Sequence, residues 1–252
     1  MTTWPARLAP LIFLAAVAAI WEIASRTGLA DPRLLPPASD VAVVLWGLIN
    51  SPNFLGDLGL TALEVLVAFV IVLPLGLAAG LWLGEQPRAY RLFGPALNLL
   101  LSMPKSIFLP IFIMALGIGF AEKIAYAITL AFFIVVLTGI AAARSVPKGL
   151  VSMARVFGAS RRQIYLQIYL PAMEPLIIEG ARMGLIYTVT GVLIAEMYGS
   201  PRGIGRLIFA WGESFRMPEL LASVMLVVVL TVVANEALRW LEELRRGHRS
   251  RA

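Results

Sequence analysis

Chemistry in this chain rests on a small set of side chains. There is no cysteine and a single histidine in 252 residues, which removes thiolate nucleophiles, disulfides and cysteine metal sites. That histidine, His248, stands in the arginine-rich tail RRGHRSRA, the setting of a solvated residue rather than a metal ligand. No GxxxxGK followed by serine or threonine occurs, so the chain brings no phosphate-binding loop for a nucleotide. What remain are ionisable residues within apolar runs: Glu64 in TALEV, Lys105 between Pro104 and Pro110, Glu179 with Arg182, and Glu196 in AEMYG. A charge at membrane depth is costly, so such groups face protein or a water-filled path. They offer solute or ion passage rather than bond making, for which an activated serine, a histidine metal motif or paired carboxylates on one face would be needed.

A second polar stretch, SMARVFGASRRQIYLQIYLP from Ser152 to Pro171, lies between long apolar runs. It reads as helix, glycine break and second helix. Gly158 suits a left-handed stop to the first helix, and Ser160 with Gln163 has the spacing of a capping box for the second. Ile164 with Ile168, and Tyr165 with Tyr169, then stack at i,i+4 on that helix, while Arg161 and Arg162 point elsewhere. Pro171 suits the first turn of a further helix. On physics alone, an ordinary basic loop between membrane helices explains the stretch equally well.

The elements that position these groups are membrane spans. With 60% hydrophobic and 14% charged residues and a mean hydropathy of +0.85, the chain is too apolar for a soluble domain. Its net charge of +6 sits in short clusters at the ends of apolar runs, which fits a lipid bilayer and no nucleic acid. Spans are expected at residues 8–25, 58–83, 92–117, 121–142, 172–195 and 220–240, with the polar loop at 152–171. Pro36, Pro37 and a cap at Ser39 or Asp40 introduce VAVVLWGLIN as a short helix at the membrane surface. Gly76, Gly80 and Gly84 form a bare helix-packing face beyond a bend at Pro74. Lys105 falls near mid-bilayer in a run broken by two prolines, so residues 103–106 are expected to line a path. The alternative is a kinked packing helix with a snorkelling lysine. Glu64 has two settings open to it, a polar path or the outer interface.

The spacing from Gly158 through Ile168 and Leu170 to Pro171 resembles the coupling-loop signature of ATP-binding-cassette importer permeases. Ala154 also matches, whereas Ser152 and Met153 replace the acidic residue and alanine that open the motif. The resemblance runs from about Leu35 to Arg239 and includes MPKSIFLPIFIMALGIG and, in the outer gate region, Ala195, Glu196, Gly203 and Gly205. It is strongest to permeases for sulfonates, taurine and nitrate. It implies an all-α polytopic protein with six transmembrane helices, the type I importer permease fold, as one permease domain over 1–252.

In such a system Ala154, Gly158, Ile168, Leu170 and Pro171 dock into a separate ABC ATPase subunit, and a periplasmic solute-binding protein delivers the solute. A second permease copy completes a homodimer in the bacterial inner membrane, a pairing the glycine face of the second span could help close. No cofactor or metal is implied, and catalysis belongs to the ATPase. Pro104, Lys105 and Glu196 are the expected pathway or gate residues; Lys105 suits an anion, Glu64 and Glu196 less so. Basic residues concentrate in the loops on the side of 152–171, which puts that loop and both termini in the cytoplasm. A self-contained secondary transporter is the alternative, but the halves show no clear internal repeat.

Overall fold

The computed structural model describes the backbone of residues 4–249 and the side chains of residues 12–240. Among the described residues it is helical, with no strand. The helices are α1 (Trp4–Arg26), α2 (Ala38–Ile49), α3 (Pro52–Glu85), α4 (Pro87–Ser102), α5 (Leu109–Leu116), α6 (Phe120–Arg144), α7 (Lys148–Val156), α8 (Arg161–Ile164), α9 (Leu170–Met197), α10 (Ile204–Glu213) and α11 (Met217–Arg249). A 3₁₀ turn, Lys105–Phe108, precedes α5, and a π turn, Tyr165–Tyr169, joins α8 to α9.

The core is a three-helix layer with α6 in the middle. Half of the most apolar window of α6 is buried against 11% for α11, so α6 is the hub and α11 the periphery. Small residues let its neighbours approach. On α3, a Cβ at Gly80 would strike the carbonyl oxygen of Val136, and one at Gly84 would lie 2.5 Å from the Cβ of Ala143. From the other side α9 brings Gly184, whose Cβ would lie 2.8 Å from Val135, and Gly191, whose Cβ would lie 2.6 Å from the Cα of Ala127. Close backbone approach gains dispersion where lipid removes any hydrophobic drive between helices. Gly76, Gly80 and Gly84 thus face α6 of the same chain, which leaves that face unavailable to close a path against a second copy.

Among the described residues, four helices are long and apolar enough to cross a membrane, or five if α4 and the Lys105–Leu116 helix count as one bent span. The remaining expected span, 8–25, coincides with α1, but residues 4–11 lie outside the described side chains. Three features differ from expectation. In place of one kinked span at 92–117, α4 and the next helix meet at 88°. Met103 is driven extended, at ψ 135°, by the proline that follows it, and Pro104 has no N–H to carry the helix on.

The second difference is that α8 runs straight into α9 as one 37-residue helical stretch, Arg161–Met197. Pro171 does stand in the first turn of α9, as expected, but that helix continues α8 instead of starting afresh. The proline's strain is absorbed one turn earlier, where the Leu170 N–H reaches back to the Tyr165 carbonyl in a π turn.

Third, neither Ser39 nor Asp40 caps α2 with its side chain. Glu22 of α1 does so from outside, accepting from the Ser39 N–H at 3.0 Å and the Ser39 hydroxyl at 2.9 Å. A carboxylate there satisfies a free amide and suits the positive end of the helix dipole.

Candidate functional site

Functional side chains gather at the two ends of the core. At one end, residues 148–169 form an arch. Gly158 has φ +78°, and around it the Ala159 N–H reaches the Ala154 carbonyl at 3.0 Å while the Gly158 N–H reaches Arg155 at 3.0 Å. That paired pattern is a Schellman stop, with Ala154 as its deepest acceptor. Ser160 then caps α8: its hydroxyl accepts from the Gln163 N–H at 3.3 Å and the Gln163 side chain accepts from the Ser160 N–H at 2.8 Å. Two local motifs therefore set the angle of the arch.

Its underside is pinned by a cluster of Ala142, Val146, Val151, Ile164 and Met173, against which Ala154 and Ile168 pack. Leu170 is 38% exposed and Pro171 half-buried. The tip, Val156 and Phe157, is 85% and 82% exposed. These two residues were not singled out from the sequence, although an apolar pair directly before a helix-stopping glycine, out of step with Val151 and Ala154, is a legible sign of outward-facing side chains.

At the other end lies a buried polar knot. Asp57, Thr61 and Glu64 share one face of α3 at spacings of four and three. Glu64 is fully buried in an ion pair with Lys123 of α6, whose ammonium also donates to the Ser200 hydroxyl at 3.2 Å. So Glu64 takes neither setting expected for it, and Lys123 is buried beside it. Glu196 is fully buried too: it accepts from the Thr61 hydroxyl at 2.7 Å and from the Gly205 N–H at 2.7 Å. Asp57 accepts from Arg202 at 3.0 Å and from the Gly203 N–H at 3.2 Å. Two carboxylates therefore cap the free amides at the start of α10. A side chain on Gly203 would run into Glu196, and one on Gly205 would come within 2.8 Å of it, which explains both glycines.

Lys105 stands apart from both ends, at the break between α4 and the 3₁₀ turn. It is half-buried, donates to the Leu101 carbonyl at 3.3 Å, and lies 5.6 Å from the ring centroid of Phe133. Among the described residues it has no carboxylate partner. Pro104 beside it is exposed. The structure thus separates the expected pathway group: Pro104 and Lys105 stay together at the break, while Glu196 is locked in the knot. Glu179 and Arg182 of α9 pair at 3.2 Å, with Arg182 also donating to Asn235 of α11 at 3.0 Å.

This architecture is similar to that of solved transporters. The chain superposes on a subunit from inward-facing conformations of the MetNI methionine ABC transporter with a TM-score of 0.65 at 21% identity, covering 74% of this chain and 93% of that one. In sequence it is 27% identical to the aliphatic sulfonates transport permease SsuC of Bacillus subtilis, over 92% of this chain and 84% of the relative. It is 25% identical to the taurine transport system permease TauC of Escherichia coli, over 91% and 85%. The family model for binding-protein-dependent transport system inner membrane components matches residues 72–246, which take in the whole arch, the break at Lys105 and all of the knot except its α3 side chains. With more than half of its length so matched, the chain belongs to that family, as a multi-pass membrane-spanning permease subunit of an ABC importer.

Proposed function

We propose that this permease carries a small organic anion, of the sulfonate or taurine class, inward across the bacterial inner membrane. In this reading the arch takes its power stroke from a separate ATPase. The observation that carries it is the arch: a rigidly capped turn whose two most exposed apolar residues, Val156 and Phe157, stand free of the chain's own core. Exposed apolar side chains on a stiff, positively charged lever suit insertion into a partner's groove. Lys105, a half-buried cation without a carboxylate partner among the described residues, has a charge that a passing anion could meet. The sulfonates and taurine for which those relatives are named share a negatively charged sulfonate group, the kind of group such a cation attracts.

Two copies would flank one path, with a solute-binding protein docking at the knot end. The arch and both termini would lie in the cytoplasm, where the basic loops concentrate. ATP-driven closure of the ATPase pair would then rock the helices between outward-facing and inward-facing states.

Co-purification of this permease with the ATPase subunit of its transport system tests the reading, comparing wild type with Gly158→Val and Phe157→Asp. A β-branched side chain opposes the left-handed backbone at Gly158 although nothing lies within 4 Å of its Cβ position, so it challenges the turn alone. Both variants are expected to lose the ATPase while keeping the wild-type melting transition in detergent. Full retention by both would remove the arch as the docking element.

A further inference from the structure

Behind the arch, between its underside and the inner ends of α3, α4 and α6, lies a cleft of about 1110 Å³. Four cations line it, Arg144, Lys148, Arg155 and Arg161, against one carboxylate, Glu85. None of the four forms an ion pair among the described residues. Arg144 is held in place by stacking on Tyr90, 3.8 Å from the ring centroid, which fixes the guanidinium and leaves its N–H edge free. Part of the lining is apolar and buried: Ala143 and Ile164 are only 8% and 6% exposed.

Depth identifies the occupant. Gly84 and Ala143 belong to the last turns of two apolar helices, so the cleft opens where hydrocarbon gives way to water. Tyr165 and Tyr169 line it, their rings stacked with centroids 5.9 Å apart, and Tyr90 of α4 stacks on the lining residue Arg144. Aromatic residues with polar tips belong at headgroup level. Further along α4, whose first residue Pro87 lines the cleft, Leu92 and Phe93 are 72% and 47% exposed, apolar side chains along which acyl chains can lie. An acidic protein segment would satisfy the charge but not that flank.

We propose that this cleft seats the phosphate headgroup of an anionic phospholipid of the phosphatidylglycerol type, bridging the arch to α3 and α4. The phosphodiester accepts from Arg144 and Arg161, Lys148 and Arg155 close the ring of charge, and the acyl chains leave over Leu92 and Phe93. Basic pockets between membrane helices recognise lipid phosphates in this way. The site lies on the arch side and so rests on the cytoplasmic placement above only for which leaflet supplies the lipid.

Native mass spectrometry of the detergent-purified permease alone, after exchange into mixed phosphatidylglycerol and phosphatidylcholine, reads the site without the ATPase. Failure here is therefore separable from failure of arch docking. Wild type is expected to retain phosphatidylglycerol over phosphatidylcholine. Arg144→Gln/Arg161→Gln should lower retention roughly thirtyfold, the scale of two basic attractions to an anionic lipid, while Arg33→Gln, in the exposed α1–α2 connector, leaves it unchanged.

Should the first double variant not fold, Lys148→Gln/Arg155→Gln on the exposed side of α7 makes the same reading. Unchanged retention in a folded double variant overturns the proposal. So does displacement of the lipid by millimolar inorganic phosphate, which would mark a site for free anions, and so does a double variant that keeps its lipid but loses the ATPase, which would make the cleft a protein-docking face.

Discussion

A lysine and a glutamate in the buried polar knot depend on each other. Glu64 and Lys123 have side-chain exposures of 0% and 4%, so neither charge has water to fall back on. Removing one leaves the other buried and unpaired, whereas removing both costs far less. Lys123→Met is therefore expected to destabilise the protein by about 3–5 kcal/mol, and Glu64→Gln/Lys123→Met to recover most of that, as read by thermal unfolding in detergent. Equal losses in the single and double variants would show that the pair contributes nothing specific. Glu196 differs, because its partners are amides and a hydroxyl rather than a cation at hydrogen-bond distance. Glu196→Gln keeps one acceptor oxygen but replaces the other with a donor facing either Thr61 or the Gly205 N–H, so it should loosen the start of α10 and raise amide exchange at Ile204 and Gly205.

Among the elements, α6 governs the others, since α3 and α9 both reach it through glycine. At the crossing Gly80 meets Gly139, whose Cβ position lies 3.0 Å from the Gly80 Cα, and a Cβ on Gly80 would strike the Val136 carbonyl oxygen. Gly80→Ala is expected to cost about 1–3 kcal/mol because backbone, not a flexible side chain, would have to yield. Gly47→Ala on exposed α2 has nothing within 4 Å of the new methyl and should be neutral or stabilising by about 0.5–1 kcal/mol. Comparing the two melting temperatures checks both. The glycine stripe on α3 was legible from four-residue spacing, but its partner was not, because spacing names a face and not what covers it. The π turn before Pro171 was equally hidden: a proline can open a helix or distort one, and only the continuous packing of Ile164, Ile168 and Met173 onto one cluster decides for distortion.

For the molecule as a whole, the absence of cysteine makes the orientation directly testable. Single introduced thiols at Phe157→Cys on the arch and Arg33→Cys in the connector, both at exposed positions, should react with a membrane-impermeant maleimide from opposite faces, Phe157→Cys from the cytoplasm. Labelling of both from one face would overturn the arrangement. The sequence by itself determined the membrane class, the helical content and the arch, because hydropathy and capping act over a few neighbouring residues. Gly158, Ser160 and Gln163 each find their partners within five positions. Only the tertiary structure decided that Glu196 closes on Thr61, 135 residues away, that Lys123 is buried against Glu64, and that Lys105 is left without a carboxylate. A charge takes its role from what desolvates or pairs it, and in a bundle those neighbours come from helices that chain distance does not relate.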